Sequence, residues 1–224
     1  MAQKVKILKV GAVTHDVRRF VVEKPEGFSF VPGQACEVSI NKPGIENEKR
    51  PFTFTSLNDD DFLEFTIKIY SEHKGFTSEL QKLKPGDSIV LNDVIGTIRY
   101  KGSGVFIAGG AGITPFIAIF RQLKKEGSLE GNSLIFSNKT ARDVILEKEL
   151  KAMFKGKNLT LILTEEKRPG YAHGRIDRQF LRSKIRDFSR HFYVCGPPKM
   201  VEDIKNALLE LGAKPDSLVF EGKG

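Results

Sequence analysis

Residues 104–115 read GVFIAGGAGITP and decide the fold of the second half of the chain. The run GVFIAGG has the apolar character of a buried strand, and residues 113–123 then carry helical periodicity. Glycines between a strand and a helix let the backbone approach a ligand closely, and the helix N-terminus presents free N–H groups to an anion. The spacing is not G-x-G-x-x-G, so the stretch predicts either a pyrophosphate site or a tight turn that binds nothing.

The rest of the second half repeats this alternation of strand and helix. Further apolar strand runs are SLIFS, LTLIL, HFYVC and SLVFE, and helical patterns cover residues 113–123, 144–154, 180–188 and 199–211. Asp177 is a candidate N-cap for the third helix. Five apolar strands separated by four helices predict a five-stranded parallel α/β sheet in residues 102–224.

Residues 1–101 have a different pattern. Short stretches rich in Val, Ile, Phe and Thr, such as VRRFVVE and LEFTIKIY, are separated by turn sequences such as KPG. One short helical pattern, residues 76–83, interrupts them. This predicts an antiparallel β-barrel or β-sandwich, with a hinge at residues 100–104 between the two domains.

Composition excludes several classes of protein. Of the 224 residues 40% are hydrophobic and 29% charged, as in an ordinary soluble globular protein. No apolar run reaches the ~18 residues that span a bilayer, and the first residues contain no apolar signal-peptide core, so we expect a cytoplasmic protein. Two cysteines and four scattered histidines predict neither a disulfide scaffold nor a metal site.

The positive charge is concentrated in the second half. Residues 1–101 hold 15 Lys and Arg against 14 Asp and Glu, whereas residues 102–224 hold 21 against 14, a net of +7. This favours an anionic ligand or an acidic partner. Basic and acidic residues alternate and no nucleic-acid-binding motif is present, so we do not expect nucleic acid as a partner.

Three further motifs carry chemistry, and each also has a purely structural interpretation. Cys195-Gly196-Pro197-Pro198 ends the fourth parallel strand, where ligands bind in open α/β sheets, but a lone Cys is more often a core residue. RPFTFTS (residues 50–56) begins with an arginine that can grip a phosphate or merely be exposed. KGFTSEL (residues 74–80) offers hydroxyls that can cap a helix or hold a phosphate.

Taken together and in this order, the four motifs give a chain that resembles the ferredoxin–NADP reductase family, most closely its stand-alone flavodoxin/ferredoxin reductase-like members. The family's R-x-Y-[ST] is similar to Arg50–Thr53, its G-G-x-G-I-T-P to residues 109–115, and its C-G-P-P to residues 195–198. The resemblance implies a six-stranded flavin-binding barrel in residues 1–101 and a nicotinamide-nucleotide domain in residues 102–224.

The resemblance also implies roles for individual residues. Arg50 would hold the flavin phosphate, and Phe52 replaces the usual Tyr against the flavin ring, so a hydroxyl is lost there. Thr53, Cys195 and Glu221 would lie near the reacting atoms. The full set implied to bind FAD or the nicotinamide nucleotide is Arg50, Pro51, Phe52, Thr53, Ile67, Lys68, Ile69, Gly75, Phe76, Thr77, Ser78, Gly110, Gly112, Thr114, Glu165, Cys195, Gly196 and Pro197.

Two features of the sequence bear on how the nicotinamide nucleotide binds: the C-terminal residues and Glu165. The chain ends FEGKG, without the terminal aromatic residue of plant-type members, so we expect a less blocked nicotinamide site. Glu165 stands where NADP-specific members often carry Arg, and a carboxylate there favours NADH over NADPH. Lys139, Lys167 and Arg168 lie nearby in sequence and could instead hold a phosphate.

The resemblance implies an NAD(P)H-dependent FAD enzyme. It would pass a hydride to FAD and single electrons to a separate carrier: flavodoxin, ferredoxin or an oxygenase component. Two alternatives stay open, namely a reductase of free flavin or ferric iron, and a flavin-binding regulatory subunit without turnover.

Overall fold

The computed structural model describes residues 2–72, 75–154 and 156–221, and it divides the chain into two compact units. Unit 1 holds the residues up to Gly96 together with Thr114–Gln122. Unit 2 holds Thr97–Ile113 and the residues from Leu123 onward. The predicted hinge, residues 100–104, therefore belongs to unit 2.

Unit 1 is built on six strands that pair in antiparallel fashion in the order β4-β3-β6-β1-β2-β5. A bridge from Phe54, just after β4, to Phe65 of β5 joins the two outer strands, so the sheet closes and the predicted six-stranded antiparallel barrel is confirmed. The strands are β1 Gln3–Ala12, β2 Val17–Glu23, β3 Ala35–Ile40, β4 Arg50–Thr53, β5 Phe62–Lys68 and β6 Ser88–Ile95.

The core of the barrel is aromatic and aliphatic. Phe54 is fully buried and stacks on Phe30 with ring centroids 4.2 Å apart. The short helix α1, Phe76–Leu80, buries its first and last residues, which lie one turn apart on one face. It is shorter than the predicted helix over residues 76–83.

Unit 2 contains a parallel sheet in the order β10-β9-β8-β7-β11-β12. The strands are β7 Gly104–Gly109, β8 Ser133–Asn138, β9 Leu159–Leu163, β10 Ala172–His173, β11 His191–Cys195 and β12 Leu218–Phe220. Four α-helices alternate with these strands along the chain, as predicted: α2 Thr114–Lys125, α3 Glu147–Met153, α4 Arg178–Lys184 and α5 Pro198–Glu210. Residues Thr114–Gln122 of α2 belong to unit 1.

The predicted count of five parallel strands is wrong by one. The additional strand, β10, has two residues, and it pairs at the sheet edge with Ile162 and Leu163 of β9. Ala172 is half-buried and His173 is exposed, so the strand leaves no apolar run in the sequence. The other five strands lie where the apolar runs predicted them.

Candidate functional site

The strand order of unit 2 locates its ligand crevice. From β7 the chain moves outward through β8 and β9, then returns to place β11 on the other side of β7. Ligands of open α/β sheets bind beyond the carboxyl ends of the strands where the order reverses. Cys195, the last residue of β11, pairs with Ala108 of β7, so the glycine-rich turn and the Cys-Gly-Pro-Pro turn leave the sheet side by side.

Close packing between these two turns explains one of the glycines. A Cβ added at Gly112 would lie 2.4 Å from the Cys195 carbonyl oxygen and 2.6 Å from the Gly196 Cα. Both neighbours are backbone atoms that have little room to move. Gly112 therefore joins the two predicted motifs into one surface, which a larger residue would force apart.

Gly110, in contrast to Gly112, has open space around its Cα. Its φ is +52°, and a Cβ there would meet nothing within 4 Å. A one-turn 3-10 helix over Gly110–Ile113 runs directly into α2. The open space beside Gly110 fits a ligand that approaches the backbone closely.

Cys195 lies in this surface as a neutral thiol. Burial, and to a smaller extent the nearby Glu221 carboxylate, raise its pKa to about 12. Glu221 itself is exposed. The structure thus brings two of the residues predicted near the reacting atoms together, while the third, Thr53, belongs to unit 1. Pro197 and Pro198 start α5, as N-cap and first helical residue.

Asn138 is a polar residue of this edge that sequence reasoning missed. It is 6% exposed, and among the described residues its side-chain amide has no hydrogen-bond partner. It ends β8, one residue beyond the Ser137–Gly109 pair. Buried amides are normally satisfied, so an orphaned one here fits a polar ligand such as a nucleotide. The signal was available, since Asn closes the apolar run SLIFS.

The loop after β9 carries the predicted discriminator of the nucleotide. Glu165 is exposed and pairs with Lys139, Nζ to Oε1 3.3 Å, and its amide donates to the Lys139 carbonyl at 2.9 Å. Lys167 and Arg168 are also exposed. Arg168 contacts Glu166 at 3.7 Å and lies 5.9 Å from the Tyr171 ring centroid.

In unit 1 the structure brings Arg50, Phe52 and Phe76 together. The Phe52 and Phe76 rings stack with centroids 6.0 Å apart, and the Arg50 guanidinium lies 5.8 Å from the Phe76 centroid. Arg50 and Pro51 are exposed, while Phe52 and Thr53 are half-buried. A guanidinium beside one buried and one half-buried ring fits a ligand that carries both a phosphate and an aromatic system.

The turn that precedes α1 is held by its own hydroxyls. Ser78 Oγ donates to the Gly75 carbonyl at 2.7 Å, and Thr77 Oγ1 accepts from the Tyr70 amide at 3.2 Å. Lys74 of the predicted motif lies outside the described residues, as do Gly222, Lys223 and Gly224.

The predicted flavin-lining segment runs along the end of β5. Ile67 and Ile69 are buried in the barrel core, and Lys68 pairs with Asp16 at 2.8 Å. Their backbone, rather than these side chains, is what remains for a ligand.

Two known domain families match the two halves of the chain. The FAD-binding domain family matches residues 2–89, and the oxidoreductase NAD-binding domain family matches residues 106–206. The chain belongs to the ferredoxin–NADP reductase-like family of NAD(P)H-dependent flavin oxidoreductases. The predicted cofactors, FAD with NAD(P)H as substrate, agree with these two domain families.

Individual relatives of this reductase are distant. It is 27% identical over 238 residues to NADH-cytochrome b5 reductase 2 of Mycosarcoma maydis, covering 91% of this chain and 68% of the relative. It is 26% identical to the reductase component of the naphthalene 1,2-dioxygenase system of Pseudomonas putida, covering 95% and 66%. The chain thus spans about two thirds of the length of these relatives.

A solved structure shows the same fold. The FAD/NAD-binding domain of nitric oxide dioxygenase from Vibrio cholerae superposes with a TM-score of 0.87 at 20% identity, covering 98% of this chain and 97% of the other. No helix among the described residues of the reductase is long and apolar enough to cross a membrane.

Proposed function

We propose that this reductase takes a hydride from NADH, in preference to NADPH, and delivers single electrons to a separate acidic carrier protein. Bound FAD supplies the two-electron to one-electron conversion between these partners. The observation that carries the proposal is the close packing of the glycine-rich turn on the Cys-Gly-Pro-Pro turn at Gly112, in the crevice where open α/β sheets bind their ligands.

In unit 1, the chain's own residues would bind and orient the flavin. Arg50 would hold the phosphate, Phe52 and Phe76 would pack near the ring system, and Thr53 would lie next to the position that accepts the hydride. Pro51, Ile67, Lys68 and Ile69 would line the flavin through their backbone, and Gly75, Thr77 and Ser78 would face its pyrophosphate. The guanidinium beside two stacked rings supports this assignment.

Gly110 and Gly112 of unit 2, together with Thr114 at the start of α2, would hold the nucleotide backbone, and Gly196 and Pro197 would shape the wall beside the nicotinamide. Cys195 would lie next to the nicotinamide as an uncharged group, because its raised pKa keeps the thiol protonated. No general acid or base is needed for hydride transfer, so these residues act by orientation. Glu165 would accept a ribose hydroxyl and repel a 2′-phosphate.

The carrier is the least defined part of the proposal. Relatives include a reductase component of a dioxygenase system and cytochrome b5 reductases, so carriers of more than one kind occur in the family. The net charge of +7 in residues 102–224 favours an acidic protein.

The test is to purify the reductase with FAD and measure NADH-dependent reduction of an acidic ferredoxin, an acidic flavodoxin and free FMN. We expect FAD to stay bound through gel filtration and at least one carrier to be reduced faster than FMN. Loss of FAD on the column with rapid FMN reduction would favour the alternative, a free-flavin reductase, for which the missing hydroxyl at Phe52 is an argument. Retained FAD that NADH and NADPH leave oxidised would favour the regulatory subunit.

A further inference from the structure

A charged cluster in unit 1 is centred on one buried carboxylate. Glu64 of β5 is 5% exposed, and its Oε1 accepts from Arg121 Nη1 at 2.7 Å and from Thr55 Oγ1 at 2.8 Å. Its backbone amide donates to Ser56 Oγ at 2.9 Å. A second guanidinium, that of Arg19, lies 3.8 Å from Oε2. Oε1 therefore accepts two hydrogen bonds, and Oε2 lies near a second positive charge.

Arg121 connects three segments of the chain through this cluster. It lies in α2, whose residues Thr114–Gln122 belong to unit 1, and its Nη1 donates both to Glu64 and, at 2.5 Å, to the Thr55 carbonyl. Thr55 stands two residues after Thr53. The guanidinium thus joins α2 to β5 and to the segment that follows the predicted flavin strand β4.

The Arg121 contact also constrains the position of the first turn of α2. Thr114 and Arg121 are seven residues apart, close to two full turns, so they share one face of the helix with a spacing of about 10 Å. Fixing Arg121 against Thr55 therefore fixes the face and the axial position of Thr114. The apolar residues Phe116, Ile117 and Phe120 bury α2, but apolar contacts are non-directional, whereas hydrogen bonds from a charged group prefer one geometry.

The energetics of buried ion pairs favour a positioning role for the Arg121–Glu64 pair. Replacing a buried ion pair by well-packed apolar residues is often neutral or stabilising, so a pair of this kind adds little to stability that a hydrophobic cluster would not provide. What it adds is a specified geometry. Hydride transfer is sensitive to such geometry, since a displacement of about 1 Å can cost ~100-fold in rate.

We propose that Arg121 is a positioning residue for hydride transfer, which it serves by holding the first turn of α2 in a fixed place relative to the Thr53–Thr55 segment. The inference rests on the proposed function, because it assigns Thr114 to the nucleotide and Thr53 to the flavin. Arg121 would act through the two segments that it joins.

The test compares Arg121→Met, Arg121→Lys and Glu64→Gln in the full FAD-loaded chain, with Arg178→Met as the matched control. Arg178 also pairs with a glutamate, Glu210 at 3.0 Å, but both side chains are more than half exposed. Rapid-mixing absorbance measures the limiting rate of flavin reduction at saturating NADH. FAD affinity, flavin reduction by dithionite, and hydrogen exchange of the flavin-free protein over residues 114–125 are measured beside it.

We expect Arg121→Met to lower the limiting reduction rate about 10- to 100-fold, with FAD affinity and dithionite reduction unchanged and exchange over residues 114–125 faster. Arg121→Lys, which keeps the charge, should recover part of the rate, and Arg178→Met should match the wild type. If Arg121→Met folds poorly, Arg121→Lys and Glu64→Gln still report a graded loss of rate.

A reduction rate within about twofold of the wild type in Arg121→Met or Glu64→Gln, despite faster exchange over α2, would overturn the positioning role and leave a structural one. A wild-type protein that binds FAD but is not reduced by NADH or NADPH would instead contradict the proposed function. The dithionite control separates both results from a loss of flavin.

Discussion

At the scale of single residues, the protonation of Cys195 determines what the site can do. Burial holds the pKa of this thiol at about 12 and that of the buried Cys36 at about 11, both above the ordinary value of 9.0. In the proposed nicotinamide site a thiolate would be a nucleophile, whereas a neutral thiol would only pack against the ring.

We therefore predict slow alkylation of the folded protein by iodoacetamide. At about pH 8, Cys195 should react ~10-fold or more slowly than in the urea-unfolded chain, because the reactive thiolate is rarer in the folded state. Mass spectrometry of the two cysteine peptides measures both rates at once. A folded-state rate for Cys195 that rises through a midpoint near pH 9 would show that its pKa is ordinary.

The same shifts have a consequence for stability. A thiol whose folded pKa is raised contributes its stability below the unfolded pKa and loses that contribution as pH rises through the folded one. The unfolding free energy should accordingly fall between about pH 9 and pH 12, as the unfolded chain loses thiol protons that the folded chain keeps.

Glu165 determines nucleotide choice in the proposed site. We predict that Glu165→Ser raises the ratio of kcat/KM for NADPH to that for NADH about 10-fold, since it removes a carboxylate that would repel the 2′-phosphate. Steady-state assays with both nucleotides measure the ratio, and Glu210→Gln is the control for a lost exposed carboxylate. An unchanged ratio in Glu165→Ser would remove this residue from the nucleotide site.

At the scale of elements, the glycine-rich turn distinguishes two reasons for a glycine. Gly112→Ala should cost about 2–3 kcal/mol, because its Cβ would collide with the backbone of Cys195 and Gly196. Gly110→Ala should cost about 1–2 kcal/mol, from its left-handed backbone alone. Urea unfolding of both variants compares the two costs. If Gly110→Ala proved the more damaging, the packing account of Gly112 would be wrong.

Local sequence signals predict the interior of elements better than their ends. Asp177 caps α4 as predicted, its carboxylate accepting from the Phe180 amide at 2.7 Å. The helix nevertheless ends at Lys184, short of the predicted residue 188, because Ile185 takes an extended backbone and is buried. Phe188 packs against Phe192 of β11, so its apolar character reflects tertiary contact and not helical periodicity.

At the scale of the whole molecule, the barrel, the parallel sheet and their motifs could be predicted because short stretches of consecutive residues carry the pattern of each strand, helix and motif. The grouping of Thr114–Gln122 with unit 1 could not, since it involves Arg121 and Glu64, which are 57 residues apart. Asn138 is similar: its residue type is visible in the sequence, but its unsatisfied amide emerges only from packing.

The central claim is that two sites on one chain pass a hydride from a nicotinamide to a flavin. Its most direct test is to add NADH or NADPH to the FAD-loaded protein without oxygen and to follow absorbance near ~450 nm, where oxidised flavin absorbs. We predict bleaching within a single turnover, faster with NADH. Bound FAD that keeps its oxidised spectrum with both nucleotides, yet is reduced by dithionite, would contradict the claim.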